Sequence, residues 1–165
     1  MPPFDLGRFH DAQNQPHDGV ADALRELRAG RKKSHWIWYV FPQLRGLGSS
    51  PMAVRYGLEG PGEGAAYLAD RVLAERLAET AGAVRAHLQP QLGRPAALDL
   101  VMGSRIDAQK LVSSMTLFAE LARRLGNDER PDLRALAEHA EAILGLAEAQ
   151  GYPRCELTER ALRGC

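Results

Sequence analysis

The amino-acid sequence predicts an all-α fold, a single-domain multi-helix bundle of about six to eight irregularly packed helices. Apolar residues recur at helical spacing through most of the 165 positions. Only one short segment, 35–41, has the composition of a strand, and one strand cannot make a sheet. A chain of this length is sufficient for one hydrophobic core. We therefore expect one all-α domain over residues 1–150, followed by a tail at 151–165 that is a short helix or disordered.

The first half of the chain carries three helix-start signals. "DGVADALRELRAG" predicts a helix with Asp18 as its N-cap and Gly30 as its stop. Ser50 followed by Pro51 is the usual cap and first helical position of a second helix. A third helix is predicted to start at Asp70 and to bury one apolar face.

Between the second and third of these helices, the segment "LEGPGEGAAYL" at 58–68 is rich in glycine and is predicted to be a connection. It is not a phosphate-binding loop, because no lysine followed by serine or threonine completes that pattern. Glu59 and Glu63 are expected to be exposed, although the glycines would let Glu63 approach the rim of a neighbouring pocket.

The second half of the chain is predicted to contain the longest helix. "PAALDLVMG" predicts a short helix that is broken by Gly103. The longest helix then extends from about Ser104 to Leu125, and another amphipathic helix opens at Pro131. The apolar stripe of the longest helix consists of Leu111, Met115, Phe118, Ala122 and Leu125.

Composition excludes several classes of function. The 21 basic and 21 acidic residues give zero formal net charge, so neither nucleic acid nor an anionic membrane is expected as a partner. No apolar run reaches membrane-spanning length and no signal-peptide pattern opens the chain, so a cytoplasmic location is expected. Cys155 and Cys165 lack metal-ligand spacing, and we expect no metal site and no cofactor.

The segment "RKKSHWIWYVFPQLRGLGSS" at 31–50 holds both tryptophans of the chain. Pro42 favours one or two helical turns that end at the preceding residue. His35, Tyr39 and Gln43 lie close to this break and offer the mixed donors and acceptors that line pockets. Two interpretations stay open, since tryptophan and tyrosine also fill ordinary cores. The basic run at 31–33 is likewise either a solvated surface or an anion-binding rim.

A second candidate stretch, "SRIDAQKLVSSMTLF", places Asp107, Lys110 and Ser114 on one polar stripe of the longest helix. One interpretation is a local Asp–Lys pair with hydroxyl groups bonded back to helix carbonyls. The other is a site between helices, in which Asp107 and Lys110 meet His35 or Tyr39 across the core and act in acid–base chemistry.

On the second interpretation, the sequence predicts a pocket for a small anionic ligand, with nucleotides among the candidates and a hydrolase or glycosidase reaction as a hypothesis. The alternative is a non-enzymatic module that binds a protein partner and uses its aromatic cluster only as core. The predicted catalytic residues are His35, Asp107 and Lys110, and the predicted ligand-binding residues are Lys33, Trp38, Tyr39, Gln43 and Ser114.

Three segments together resemble a bacterial family known as domain of unknown function 1810. They are "GRKKSHWIWYVFPQLRGLGSSPMAVRYGL", "AAYL" with the later "LAERL", and "IDAQKLVSSMTLF". The likeness extends over about residues 4–144. The resemblance implies an all-α fold, in agreement with the periodicity, and it implies no particular activity.

Overall fold

The computed structural model of the protein describes residues 3–90 and 93–165, and within these ranges it contains ten helices and no strand. Seven helices have at least seven residues and three are shorter, so the all-α prediction is confirmed. The helices are α1 (Gly7–Gln13), α2 (Val20–Arg28), α3 (Ile37–Val40), α4 (Pro51–Tyr56), α5 (Pro61–Ala69), α6 (Arg71–Leu88), α7 (Leu98–Val101), α8 (Arg105–Leu125), α9 (Pro131–Ala149) and α10 (Glu156–Arg163). None of these helices combines the length and the apolar character of a membrane span.

Three long helices form the centre of the fold. α9 packs against both α6 and α8, while α2 covers α6, and α5, α7 and α10 cover α8. The apolar stripes that face one another are fully or almost fully buried; they include Leu77, Val84, Leu111, Met115, Phe118, Leu136 and Ile143. The single turn α3 contacts α1, α4, α6 and α8. The segment 31–50, which we call the aromatic segment, therefore lies where these four helices meet.

Side chains cap the helices at the predicted places. The Ser50 Oγ accepts a hydrogen bond from the Ala53 N–H at 3.1 Å, and the Asp70 Oδ1 accepts one from Leu73 at 3.1 Å. The Ser104 Oγ caps α8 in the same way at 3.0 Å. Each bond satisfies a backbone N–H that the first turn of a helix leaves without a partner.

The predicted cap of α2 is wrong. Gly19, and not Asp18, occupies the N-cap position, and its backbone passes so close that a Cβ there would lie 2.3 Å from the Gln15 carbonyl oxygen. Asp18 instead adopts a positive φ of 58°, and its N–H donates to the Asp22 carboxylate at 3.0 Å. The chain therefore turns tightly before α2 and leaves the Asp18 carbonyl available to another element.

The predicted connection at 58–68 is also wrong, because most of it forms α5. Pro61 takes the first helical position, where its missing N–H costs nothing. Gly64 lets α5 approach α8 closely, since a Cβ there would lie 2.6 Å from the Leu121 Cδ1. Close helix packing therefore outweighs the weak helix propensity of the three glycines in this segment.

Glu63 is buried in α5, which contradicts its predicted exposure. Its side chain is 2% exposed and forms an ion pair with Arg8 at 2.7 Å. It also accepts the Glu59 N–H at 2.8 Å. Arg8 bonds in addition to the carbonyls of Arg55 and Gly57, so this pair fastens α1 to the start of α5.

Candidate functional site

A carboxylate in α2 accepts hydrogen bonds from the aromatic segment and holds it in place. Glu26 is 6% exposed, and its Oε1 accepts the backbone N–H groups of Lys33 and Ser34. Its Oε2 accepts the Trp36 Nε1–H at 3.4 Å. Burial alone would raise the pKa of Glu26, but these three hydrogen bonds outweigh burial and hold the pKa below its ordinary value. The loop that leads into α3 is therefore fixed through an ionised carboxylate.

Lys32 ties the same loop to the start of α8. Its ammonium forms an ion pair with the Asp107 Oδ2 at 2.9 Å and donates to the Ser34 carbonyl. It also lies 4.9 Å from the centre of the Trp36 ring. The Lys32 side chain is 7% exposed, so this member of the basic run at 31–33 is part of the interior rather than of a solvated surface.

Asp107 and Lys110 thus have different partners. The Lys110 ammonium is 4.0 Å from the Asp107 Oδ1, beyond hydrogen-bond distance, and it lies 5.0 Å from the centre of the Trp38 ring. The hydroxyl groups of Ser113 and Thr116 bond back to helix carbonyls, as the local interpretation predicts. The α8 stripe therefore combines local hydroxyl bonds with side chains that reach the aromatic segment.

A small hollow opens where α3, α4 and α8 meet. We call it the Trp38 hollow, and it is lined by Ile37, Trp38, Phe41, Gln43, Ala53, Tyr56, Gly57 and Lys110. The centre of a water molecule can occupy about 10 Å³ of this hollow. The hollow therefore has room for one water or one ligand oxygen. Its walls are mostly apolar, and they contain no Asp or Glu.

The Trp38 hollow has one buried donor without an acceptor. The Trp38 Nε1 is buried and has no hydrogen-bond partner. The Gln43 amide, the Tyr56 hydroxyl and the Lys110 ammonium also line the hollow, but within the described ranges none of them is a buried atom without a partner. Buried polar groups in folded proteins are nearly always satisfied, so the unpartnered Trp38 N–H is unusual.

The structure separates the other predicted site residues from this hollow. Tyr39 is 3% exposed, and its hydroxyl donates to the Asp18 carbonyl at 2.6 Å, with the His35 carbonyl at 3.1 Å. The side chains of His35 and Lys33 are exposed, and neither makes a hydrogen bond within the described ranges. Ser114 is fully buried, and its Oγ has no partner, but it does not line the hollow.

The predicted residues that come together are therefore Trp38, Gln43 and Lys110, with Asp107 beside them. Tyr56 and Glu26 belong to the arrangement but were not predicted as site residues. Tyr56 lies in the first segment that carries the family resemblance, and no local pattern marks Glu26, whose three donors are seven to ten residues further along the chain. Within the described ranges, no group of three or more His, Cys, Asp or Glu side chains could hold a metal ion.

The buried Tyr39 hydroxyl makes the stability of the fold fall at alkaline pH. Burial and the nearby charge of Asp18 raise the pKa of Tyr39 to about 12. The unfolded chain loses the phenol proton first, so stability that is complete below pH 10 falls as the pH rises from about 10 to 12. We expect the Tm of Tyr39→Phe to fall less over this pH range than the Tm of the unmodified protein, as measured by thermal unfolding. Equal losses in both would mean that the fold does not hold this hydroxyl in its neutral form.

Comparison with known proteins places the chain in a family without assigning an activity. No curated protein matches it. The crystal structure of the conserved hypothetical protein Rv1873 from Mycobacterium tuberculosis is similar, with 42% sequence identity over 96% of each chain and a TM-score of 0.69. Residues 3–136 match the family described as "Protein of unknown function (DUF1810)", which confirms the predicted resemblance with slightly different bounds. The chain therefore belongs to the DUF1810 family.

Proposed function

We propose that this protein binds a small molecule whose hydrogen-bond-accepting, anionic head group enters the Trp38 hollow. The observation that supports this most directly is the buried Trp38 N–H, which has no acceptor, in a small space that Gln43, Tyr56 and Lys110 also line. A buried donor without a partner costs about 1–3 kcal/mol, and a bound acceptor would recover part of that cost.

The charge and accessibility of Lys110 support an anionic rather than a neutral acceptor. Its side chain is 20% exposed, so the ammonium is partly removed from water yet can be reached from the surface. No carboxylate lines the hollow, and the nearer oxygen of Asp107 is 4.0 Å from this ammonium. Charge-assisted hydrogen bonds are stronger in such partly dry surroundings than in water.

We propose binding rather than catalysis, because Asp107 is engaged with Lys32 and His35 lies outside the lining of the hollow. Asp107 is held by Lys32 at 2.9 Å, and a role as a general base would require that ion pair to open. The exposed His35 side chain is not part of the lining of the hollow. Hydrolase or glycosidase chemistry with His35, Asp107 and Lys110 is therefore a further hypothesis that binding alone does not require.

The first test follows the two indole N–H signals of the ¹⁵N-labelled chain by NMR. The chain has two tryptophans, and the Trp36 N–H already bonds to Glu26, so its signal serves as an internal control. Acetate, butyrate, succinate, inorganic phosphate, adenosine monophosphate and acetamide are added singly. We expect at least one of these compounds to move the Trp38 signal, assigned through Trp38→Phe, while the Trp36 signal stays in place. If none of them moves it, the proposal is wrong.

Lys110→Met is expected to weaken binding of the active compound by about 10- to 100-fold, since a hydrogen bond to a charged group contributes about 1.5–3 kcal/mol. Dissociation constants come from the same NMR titration. The matched control is Arg105→Met, which removes one exposed positive charge from the same helix, where the guanidinium lies over Tyr152 and outside the hollow. Equal affinities in the two variants would contradict a direct role for the Lys110 ammonium.

A further inference from the structure

We infer that the ligand of the Trp38 hollow is a short-chain monocarboxylate, that is, a molecule with a single carboxylate and a small apolar substituent. This inference rests on the proposed function and narrows it to one chemical class. Three features of the hollow support it: its charge, its hydrogen-bonding groups and its apolar side chains.

The charges favour an anion with one negative charge. Lys110 is the only cation among the residues that line the hollow. Behind it, Asp107 and Lys32 compensate each other at 2.9 Å. On the other side, Arg45 is paired with Glu59 at 3.2 Å. One uncompensated positive charge therefore remains at the hollow, which matches a monoanion and leaves a dianion with an unbalanced charge.

Arg55 does not alter this balance. Its guanidinium is exposed and lies 5.5 Å from the centre of the Tyr56 ring, but the residue lines a different, open hollow that also contains Asp5 and Glu63. Phosphate sites usually use the forked donors of arginine, and no arginine lines the Trp38 hollow.

The groups that line the hollow include suitable donors for a carboxylate. An ionised carboxylate only accepts hydrogen bonds and has about four lone-pair sites. The side chains of Trp38, Gln43, Tyr56 and Lys110 offer an indole N–H, an amide, a phenol and an ammonium, of which the indole N–H is buried and has no partner. A neutral amide ligand lacks the negative charge that would pair with the Lys110 ammonium.

The remaining walls favour a small apolar substituent. Ile37, Phe41 and Ala53 line the hollow with hydrocarbon, and the first two are each only 1% exposed. The space for about one water suits one carboxylate oxygen, so the substituent has to be short and lie along these walls. A nucleotide carries more negative charge than Lys110 can balance.

The test compares affinities within the NMR panel by titration of the Trp38 indole signal. We expect acetate or butyrate to bind at least about tenfold more tightly than acetamide, which has nearly the shape of acetate without its charge. We also expect both carboxylates to bind more tightly than succinate or inorganic phosphate. Lys110→Met should bring the affinities for acetate and acetamide close together, and Arg105→Met should preserve the difference between them.

The outcomes separate this inference from the function on which it rests. If phosphate, succinate or adenosine monophosphate binds most tightly, or acetamide equals acetate, the monocarboxylate assignment is overturned and a binding function stands. If no compound moves the Trp38 signal, the binding function itself fails. The Trp36 signal reports in every variant that the loop next to Glu26 remains folded, so loss of binding is distinguished from loss of structure.

Discussion

Replacing Glu26 with alanine is expected to lower the free energy of unfolding by about 3–4 kcal/mol, since it removes a buried carboxylate that accepts three hydrogen bonds. The Trp36 indole is fully buried, and its N–H would lose the Glu26 Oε2 to which it donates. The backbone N–H groups of Lys33 and Ser34 would at the same time lose the group that fixes their loop. The effect is therefore larger than that of a typical surface substitution.

Urea unfolding of Glu26→Ala and of a matched control measures this effect. Glu79→Ala is the control, because Glu79 is also paired across to α2, with Arg28 at 2.7 Å, but both side chains are more than half exposed. An exposed pair of this kind contributes about 0–1 kcal/mol. A loss in Glu26→Ala no greater than that of the control would show that the carboxylate is not what fixes the aromatic segment.

The helix starts could be predicted because their physical cause is local. Ser50, Asp70 and Ser104 each bond to a backbone N–H three residues further along the chain, so a short window of sequence contains both partners. The α5 helix could not be predicted in this way. It exists because Gly64 allows close packing on Leu121 in α8, and the partner in that contact is 57 positions away in the sequence.

Part of the candidate site was also predictable from short stretches of sequence. Rare side chains gathered in two segments identified Trp38, Gln43 and Lys110, which do line one hollow. The orientation of Tyr39 could not be predicted, since α3 is only one turn long and the Asp18 carbonyl that holds this hydroxyl comes from an unusual backbone conformation. The choice of partner for Asp107 also depends on tertiary structure alone.

We expect Lys32→Met to have a second large effect on stability, because Lys32 is the ion-pair partner of Asp107. The substitution keeps much of the side-chain volume but leaves Asp107 without its partner at 2.9 Å. Removal of one member of a buried ion pair costs about 3–5 kcal/mol, because the remaining charge stays desolvated. Asp107 is 18% exposed, so some water can reach it, and we expect a loss near about 3 kcal/mol.

A double-mutant cycle separates the ion pair from the other contacts of Lys32. Lys32→Met also removes the bond to the Ser34 carbonyl and the contact with the Trp36 ring, and those losses persist when Asp107 is neutralised. Asp107→Asn alone, and both changes together, are therefore measured by urea unfolding. We expect the double variant to be more stable than the sum of the single losses predicts, by about 1–3 kcal/mol. Additive losses would mean that Asp107 is stabilised by solvent or by Lys110, and that the loop and α8 are not joined through this ion pair.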